Sequence, residues 1–265
     1  MEKTIGAMKR YTYIYIASLL VALLGCSESG DGGGNVMVNS GKGGSMARFA
    51  AQGDYLYAVT ETSLKVFDIS SAGSPQYLPG KEQRLTAGAE TIFPMDSLLF
   101  IGSQSGMYIY SISRPNFPQQ ISQVSHITSC DPVVASGKYA YVTLNSGAAR
   151  CWRGEDVLNI YDISDIYAPE LKHTERGFTH PMGLGIDGER LYICDNGLKV
   201  YDISNPLKPA WIGDLTHIAG LGAIQTYDVI PLASSLLLTG EDGIYQLDCS
   251  GEKLSLISKI EVTRK

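Results

Sequence analysis

One short pattern recurs five times along the chain and limits the folds that the chain can adopt. It alternates apolar with other side chains and, in its clearest copies, ends in Asp-Ile-Ser. The copies occupy residues 64–70, 107–113, 158–164, 198–204 and, in a decayed form, 244–250. Counted from Asp68, the equivalent positions are 111, 162, 202 and 248, so the spacings are 43, 51, 40 and 46 residues. A repeat of about 40 to 45 residues that contains several short strands is typical of propeller blades.

The fourth repeat shows how one unit is built. Two alternating runs flank Asn196-Gly197, and Asn-Gly between such runs is a strong hairpin signal because both residues tolerate positive φ. Mostly apolar segments at 181–186 and 209–212 supply a first and a fourth strand. In the turn after the third strand, Asp and Ser side chains can bond nearby backbone amides. That role explains the recurrent Asp without catalysis.

The same order of strands is present at 49–78, 92–124, 133–173 and 229–257. A blade alone exposes both faces of its sheet, so neighbouring blades must stack and the ring must close. We therefore predict an all-β fold, a five-bladed β-propeller with four antiparallel strands in each blade. Two ways of closing the ring stay open. The C-terminal strand at 254–257 completes blade five, or residues 35–38 add an outer strand.

The N-terminal residues have the pattern of an export signal. Lys9 and Arg10 precede an apolar run at 11–24 that is too short for a comfortable membrane span. The run ends in Leu-Leu-Gly-Cys26, which resembles the bacterial lipobox, and the lipobox cysteine becomes a lipid-carrying N-terminus. We expect residues 1–25 to be a lipoprotein signal peptide and Cys26 to be lipidated. The alternative is an ordinary signal with a coincidental cysteine.

Residues 26–45 are rich in Gly and Ser without apolar periodicity, so we interpret them as a flexible tether between the anchor and a propeller at 46–265. Several acyl chains on one cysteine would anchor the protein stably, and the expected location is the bacterial outer membrane. Glu28 and Asp31 faintly resemble a signal for export to the cell surface. The periplasmic and the surface side therefore both stay open.

Net charge excludes some partners. The leader contains three of the 21 basic and one of the 27 acidic side chains, so the remaining chain has a net charge of −8. An acidic body without basic runs is a poor nucleic-acid binder and is repelled by anionic lipid. Membrane attachment therefore depends on Cys26.

The repeats resemble those of the LVIVD-repeat family of bacterial envelope proteins. The resemblance covers residues 46–265 and is carried by the five Leu-x-Val-x-Asp-like strands, the Ser-x-x-x-Pro turns and the run at 139–143. The most family-like stretch is 129–134, followed by a second cysteine after the next strand. Ser111 and Gln246 depart from the pattern in blades two and five. The family implies a β-propeller on a secreted or lipid-anchored protein, with its biochemical function mostly unassigned.

Four cysteines remain after Cys26. Cys130 lies in the linker that enters blade three, and Cys151 lies in the loop between the second and third strands of that blade. Both positions are on one face of a propeller, so we predict a Cys130–Cys151 disulfide, which would stabilise the fold by about 3 kcal/mol in the chain-entropy model. Cys194 and Cys249 lack metal-ligand spacing and are expected to be buried free thiols.

Carboxylates are predicted to gather at the mouth of the central channel. We count back nine residues from the leucine of each second strand, or from the equivalent Ala140 in blade three. The positions reached in the five repeats are Ala47, Glu90, Asp131, Met182 and Asp228. Three converging carboxylates would raise one another's pKa or bind a cation, and oxygen ligands suit Ca²⁺ or Mg²⁺, of which Ca²⁺ is the possible cofactor. Two alternatives are that the neighbouring Arg48 neutralises the group, and that the carboxylates accept backbone amides at blade junctions.

A second set of candidate residues belongs to the top face, where the chain enters each blade. Residues 148–156 are an insertion that contains Arg150, Trp152 and Arg153. Trp and Arg dominate binding hot spots, so this loop would stack on a sugar ring or anchor a protein. The alternative is that the indole covers the disulfide. His126 and His180 lie in linkers on the same face and would be ligands or an acid–base pair.

The other prominent aromatic residues are assigned to packing. Trp211 is expected in a fourth strand, packed between blades. The recurring aromatic residues of the second strands are expected in the core: Tyr57, Phe100, Tyr141 and Tyr192.

Two functions are consistent with these features. The first is a non-enzymatic propeller that is tethered to the outer membrane and presents its top face to a protein or a glycan. The second is a glycan hydrolase or lyase that uses His126, His180 and the channel carboxylates. Carboxylates that are already paired would favour binding, whereas a metal with open coordination would favour catalysis. No nucleophile elbow or phosphate loop is present in the sequence.

Overall fold

The computed structural model describes residues 43–85, 88–125, 132–147, 155–215, 217–218, 222–249 and 254–262. Five of the six antiparallel sheets that these residues form are the blades of a β-propeller, as the repeats predict. Within them, no helix has the length and apolarity required to cross a bilayer. The lipidation site Cys26 and the alternative closing strand at 35–38 lie outside these residues.

The strands follow one another without exchange between blades. Blade one contains β1 (Phe49–Gln52), β2 (Tyr55–Val59), β3 (Ser63–Asp68), β4 (Gln76–Tyr77) and β5 (Gln83–Arg84). Blade two contains β6 (Ala89–Met95), β7 (Leu98–Ser103), β8 (Gly106–Ser111) and β9 (Gln119–Ser125). Blade three contains β10 (Val133–Ser136), β11 (Tyr139–Leu144), β12 (Val157–Asp162) and β13 (Glu170–Glu175).

Blade four contains β14 (Leu184–Asp187), β15 (Arg190–Cys194), β16 (Leu198–Asp202) and β17 (Ala210–Leu215). A short hairpin of β18 (His217–Ile218) and β19 (Gly222–Ala223) follows it. Blade five contains β20 (Thr226–Pro231), β21 (Ser235–Gly240), β22 (Gly243–Asp248) and β23 (Ser255–Glu261). Of the two ways of closing the ring that the sequence leaves open, the structure shows the first: the C-terminal strand completes blade five, because β23 pairs with β22.

The predicted turn chemistry is present in the structure. The carboxylates of Asp68, Asp162 and Asp202 accept the amide of the Ser two residues later, at 2.9, 2.8 and 2.7 Å. These hydrogen bonds from Ser lower the pKa of the three carboxyl groups. In the predicted Asn-Gly hairpin, Asn196 and Gly197 both have positive φ, at 50° and 129°.

The outer strands carry a recurrent irregularity. In blades two to five the register between the third and fourth strands shifts at one equivalent place, which leaves a bulged residue in the fourth strand. Bulges of this kind twist a sheet edge away from unwanted pairing. Blade one differs, because β4 and β5 pair separately with β3 and together replace a continuous outer strand.

The apolar core consists of four clusters, and each lies between two consecutive blades. The predicted core aromatics Tyr57, Phe100, Tyr141 and Tyr192 are all buried in these clusters. Blades two, three and four contribute to two clusters each, whereas blades one and five contribute to one each. Within the described residues, no apolar cluster joins blade five to blade one.

The prediction that Trp211 packs between blades is wrong. It lies in the fourth strand of blade four, as expected, but its side chain is 62% exposed rather than packed between blades. Its partner in the third strand, Tyr201, is buried and fills the space between the blades. The fourth strand is far from the channel axis, so the adjacent blades diverge before reaching it.

Candidate binding face around the channel mouth

The Asp228 carboxylate is held at the channel mouth by groups from distant parts of the chain. Its Oδ1 accepts a hydrogen bond from Ser45 Oγ at 3.0 Å, and its Oδ2 accepts one from the Met46 amide at 3.2 Å. The same Ser45 Oγ accepts the Leu184 amide at 2.7 Å. These four residues, which we call the channel-mouth clasp, join the entrance of blade one to blades four and five.

Two glycines make room for the clasp. A Cβ on Gly44 would lie 1.9 Å from Asp228 Oδ2, and a Cβ on Gly183 would lie 2.2 Å from Asp228 Oδ1. Neither glycine has a positive φ, so the requirement at both positions is space rather than backbone conformation. Ser45 is buried, and the segment from Gly43 to Ser45 therefore contributes to the propeller body.

Burial dominates the electrostatics of Asp228. Loss of solvent raises the pKa of this carboxyl to about 6, although hydrogen bonds from Met46, Ser45 and Val229 act in the opposite direction. The carboxylate oxygens already accept three hydrogen bonds, from the Ser45 hydroxyl and the amides of Met46 and Val229. This arrangement matches the alternative in which the carboxylate serves a blade junction.

The remaining members of the predicted channel cluster have other neighbours. Glu90 Oε1 accepts Gln104 Nε2 at 2.9 Å within blade two. Arg48 is exposed at the entrance of blade one, and its carbonyl accepts the Val59 amide at 2.8 Å. In the part of the chain that the structure describes, no group of three His, Cys, Asp or Glu side chains could hold a metal ion. Asp131 lies outside that part, so the cluster and its Ca²⁺ stay predictions.

A second buried carboxylate orders the linker that carries His180. Asp195 Oδ1 accepts the Thr179 amide at 3.0 Å and the His180 amide at 2.6 Å. Lys199 Nζ lies 2.7 Å from Asp195 Oδ2 and also donates to the Gly177 carbonyl at 2.9 Å. Because a buried charge is tolerated only when it is paired and hydrogen-bonded, Asp195 and Lys199 fix this linker in one conformation.

A third carboxylate closes the base of the inserted loop. Asp156 accepts the Ser146 amide at 2.9 Å and Ser146 Oγ at 3.0 Å. The adjacent Gly147 lies against His180, because a Cβ on this glycine would be 3.0 Å from His180 Nδ1. The structure therefore places His180 beside the base of the inserted loop.

Several predicted residues of this face lie outside the described ranges. They are His126, Arg150, Trp152, Arg153 and the cysteines of the predicted disulfide, Cys130 and Cys151. Their roles stay predictions.

Of the remaining cysteines, Cys194 is a free, buried thiol whose pKa is raised by burial. Cys249 is also free but only partly buried, which differs from the expectation.

A cavity of about 300 Å³ occupies the channel next to the clasp. Its walls are the first strands of blades two to five, and Gly43 also lines it. Most of the lining side chains are apolar, including Phe93, Met95, Val134 and Ile230. The sequence analysis did not identify this cavity, because its lining residues come from four separate repeats and share no local motif.

Comparison with known proteins defines the class of repeat. The LVIVD repeat model matches residues 43–78, 129–148 and 181–216, which fall in repeats one, three and four. The chain therefore carries LVIVD repeats on a five-bladed β-propeller. The repeats with the departures at Ser111 and Gln246 are not among the matched segments. No curated protein sequence matches the chain.

Solved structures share the fold at low sequence identity. A functionally unknown protein from Desulfotomaculum acetoxidans has a TM-score of 0.63 and 12% identity, covering 81% of this chain and 69% of that one. AztD from Citrobacter koseri has a TM-score of 0.56 and 13% identity, covering 77% and 58%. The periplasmic gluconolactonase PpgL from Pseudomonas aeruginosa has a TM-score of 0.56 and 15% identity, covering 79% and 68%. At such identities these similarities show the fold alone.

Proposed function

We propose that the protein is an envelope lipoprotein whose propeller binds a protein or a glycan without catalysing a reaction. Cys26 anchors the chain in the outer membrane, residues 26–42 extend from it, and the top face of the propeller captures the partner. The observation that carries this proposal is the pairing of the top-face carboxylates. Asp156, Asp195 and Asp228 each accept backbone amides, and Asp195 also pairs with Lys199.

Pairing of this kind serves binding better than catalysis. A general acid or base needs a free position toward the reacting atom, whereas these carboxylates use their oxygens to order loops. Ordered loops lower the entropic cost of capturing a partner. The linker at 177–180 and the base of the inserted loop are held in this way on adjacent blades, and His180 of the linker lies beside the base of the loop. The partner surface is therefore assigned to this region and to the inserted loop.

A pair of tryptophan variants tests the assignment. Trp152→Ala removes the aromatic residue of the inserted loop, and Trp211→Ala removes an exposed indole from the outer strand of blade four. The full lipidated protein is presented to a glycan array and to envelope proteins. We expect Trp152→Ala to weaken capture at least tenfold and Trp211→Ala to leave it unchanged. Equal capture by both variants would remove the inserted loop from the site.

The enzymatic alternative is tested on the same samples. Turnover of a polysaccharide that is lost in His180→Ala would overturn the non-enzymatic assignment, because binding alone consumes no substrate. The anchor is tested separately with Cys26→Ser, which is expected to release the protein from the membrane fraction. Retention of that variant in the membrane would contradict a lipid anchor at Cys26.

A further inference from the structure

The channel cavity has a mouth on the face opposite the top face. Its walls are the first strands of blades two to five, which run from the top face to the hairpin turns that begin the second strands. Ser136 ends β10 and Gly188 follows β14, and both residues line the cavity and are exposed. The cavity therefore opens beside these hairpin turns, at the other end of the channel from the clasp.

Most of the wall is apolar and already held in place. Val134, Leu184 and Val229 line the cavity, are at most 1% exposed and belong to the clusters between blades. A Cβ on Gly185 would lie 2.5 Å from Pro231 Cδ, so blades four and five approach each other closely beside the cavity. A wall of this kind does not have to rearrange around a ligand, which lowers the cost of binding.

The size of the cavity suits a small molecule. Its volume of about 300 Å³ is at the lower end of the range for small-molecule sites, which are mostly apolar and contain a few polar groups. Liquid water would fill this volume with about ten molecules. Most of them would face apolar side chains, so an apolar group that displaces them gains affinity.

The polar groups of the lining are mainly hydrogen-bond acceptors. Pro94 and Pro231 lie in β6 and β20, and each of these strands is the inner edge of its sheet. An edge strand accommodates proline with its nitrogen turned away from the ladder, so both prolines direct a carbonyl and no N–H toward the channel. Asp187 adds a carboxylate and Ser136 a hydroxyl. Among the described residues that line the cavity, none is Lys, Arg or His.

The charge of Asp187 is not neutralised by its neighbour in the sheet. Arg190 lies opposite Asp187 in the ladder between β14 and β15. None of the ion pairs between side chains that the structure describes joins these two residues. Asp187 is half-buried at the end of its strand, and its carboxylate gives the mouth of the cavity a negative charge.

We propose that the cavity binds a small organic amine, with the apolar body of the amine inside the channel and its ammonium group at the mouth beside Asp187. An ammonium group has hydrogen-bond donors and no acceptor, which matches a lining of carbonyls and a carboxylate. The apolar body displaces water from Phe93, Met95 and Ile230. An anion of the same shape meets the charge of Asp187 instead. The site is separate from the top face that is assigned to a protein or a glycan.

Three matched probes test the class of ligand. Phenylbutylamine, phenylbutanol and phenylbutyrate have the same number of carbon atoms and differ in charge. The complete chain is used with Cys26→Ser, so that neither lipid nor detergent competes for the probes. Calorimetry is expected to show that the amine binds at least tenfold more tightly than the butyrate, with the alcohol between them. No binding of the amine, or equal binding of the amine and the butyrate, would overturn the proposal.

Three substitutions locate the bound amine. Asp187→Asn removes the charge at constant volume and is expected to weaken phenylbutylamine about fivefold, as for a partly exposed ion pair, without weakening phenylbutanol. Glu189→Gln is the matched control, since Glu189 is exposed in the same hairpin and does not line the cavity. This control is expected to bind like the parent chain.

Ser136→Trp places an indole at the mouth, where Ser136 is exposed, and is expected to weaken the amine and the alcohol at least tenfold. Unchanged binding of both probes by this variant would place them outside the cavity and overturn the proposal. Asp187→Asn and Glu189→Gln with equal effects on the amine would contradict the position of the ammonium group beside Asp187.

Discussion

Blade three and blade one are built from the same repeat but differ in their surroundings. Blade three has a blade on either side, and its second and third strands are buried on both faces. Blade one is packed against blade two on one side, and on the other side, within the described residues, no apolar cluster joins it to blade five. The repeat therefore determines how a blade folds, whereas the position of the blade in the ring determines how much its side chains stabilise the fold.

The largest expected effect contrasts the loss of a buried tyrosine in the second strand of blade three with the loss of a partly exposed tyrosine in an outer strand of blade one. Tyr141→Ala in blade three removes a buried ring from the cluster with blade four, and such a cavity costs about 3–5 kcal/mol of unfolding free energy. Tyr77→Ala in blade one removes a ring that is 41% exposed, and we expect a loss of about 1 kcal/mol. Urea unfolding measures both values. Equal losses would contradict the difference in burial between these two side chains.

The second prediction concerns the clasp, which joins the two ends of the ring. Gly183→Ala places a Cβ 2.2 Å from Asp228 Oδ1, so the carboxylate must move and its hydrogen bonds must weaken. We expect a loss of about 3 kcal/mol. Gly213→Ala is the control, because a Cβ there meets nothing within 4 Å. If Gly183→Ala were as stable as this control, the clasp would not hold the ring.

The third prediction is the pH dependence of the clasp. The pKa of Asp228 is raised from 3.8 to about 6 in the folded state, so the folded state binds the proton more tightly than the unfolded state. The stabilisation from this protonation is fully present below about pH 4 and is lost as the pH rises through about 6. A shift of this size corresponds to about 2–3 kcal/mol.

Asp228→Asn isolates this contribution. The variant cannot titrate at position 228, whereas it retains the exposed turn carboxylates, whose lowered pKa values act in the opposite direction. Unfolding free energies of both proteins are compared between pH 4 and pH 7. The wild type is expected to lose more stability than the variant over this range. Parallel profiles would show that the carboxyl has an ordinary pKa.

The smallest expected effect concerns the turn that all clear repeats share. Asp202→Ala in blade four and Asp68→Ala in blade one each remove an exposed hydrogen bond to a Ser amide. Both substitutions are expected to lower the unfolding midpoint slightly and by equal amounts, because the turn is local and independent of the neighbouring blades. A clearly larger effect in blade four would show that the turn also depends on its place in the ring.

Local patterns predicted the blades and the turns, because alternation, Asn196-Gly197 and the Asp-x-Ser bonds depend on residues close in sequence. The clasp was only partly predictable. Counting from the second strands placed Asp228 at the channel mouth, but its donor Ser45 is separated from it by 183 residues. Nothing in the local sequence around Gly44 or Gly183 indicates that a carboxylate will occupy the space of a Cβ.

The exposure of side chains at the junction of blades five and one was not predictable either. A strand that alternates Ile244 with Tyr245 has the same pattern whether or not a further blade covers it. The exposure of Trp211 was mispredicted for a related reason, since its strand position is local but its burial depends on how far neighbouring blades diverge.

Hydrogen exchange of the wild-type chain tests most directly whether the terminal blades lack a covering neighbour. Amides of β3 and β22, in blades one and five, are expected to exchange at least tenfold faster than those of β12 in blade three. Equal protection of all three strands would contradict the account, because it would mean that blades five and one cover each other as the middle blades do.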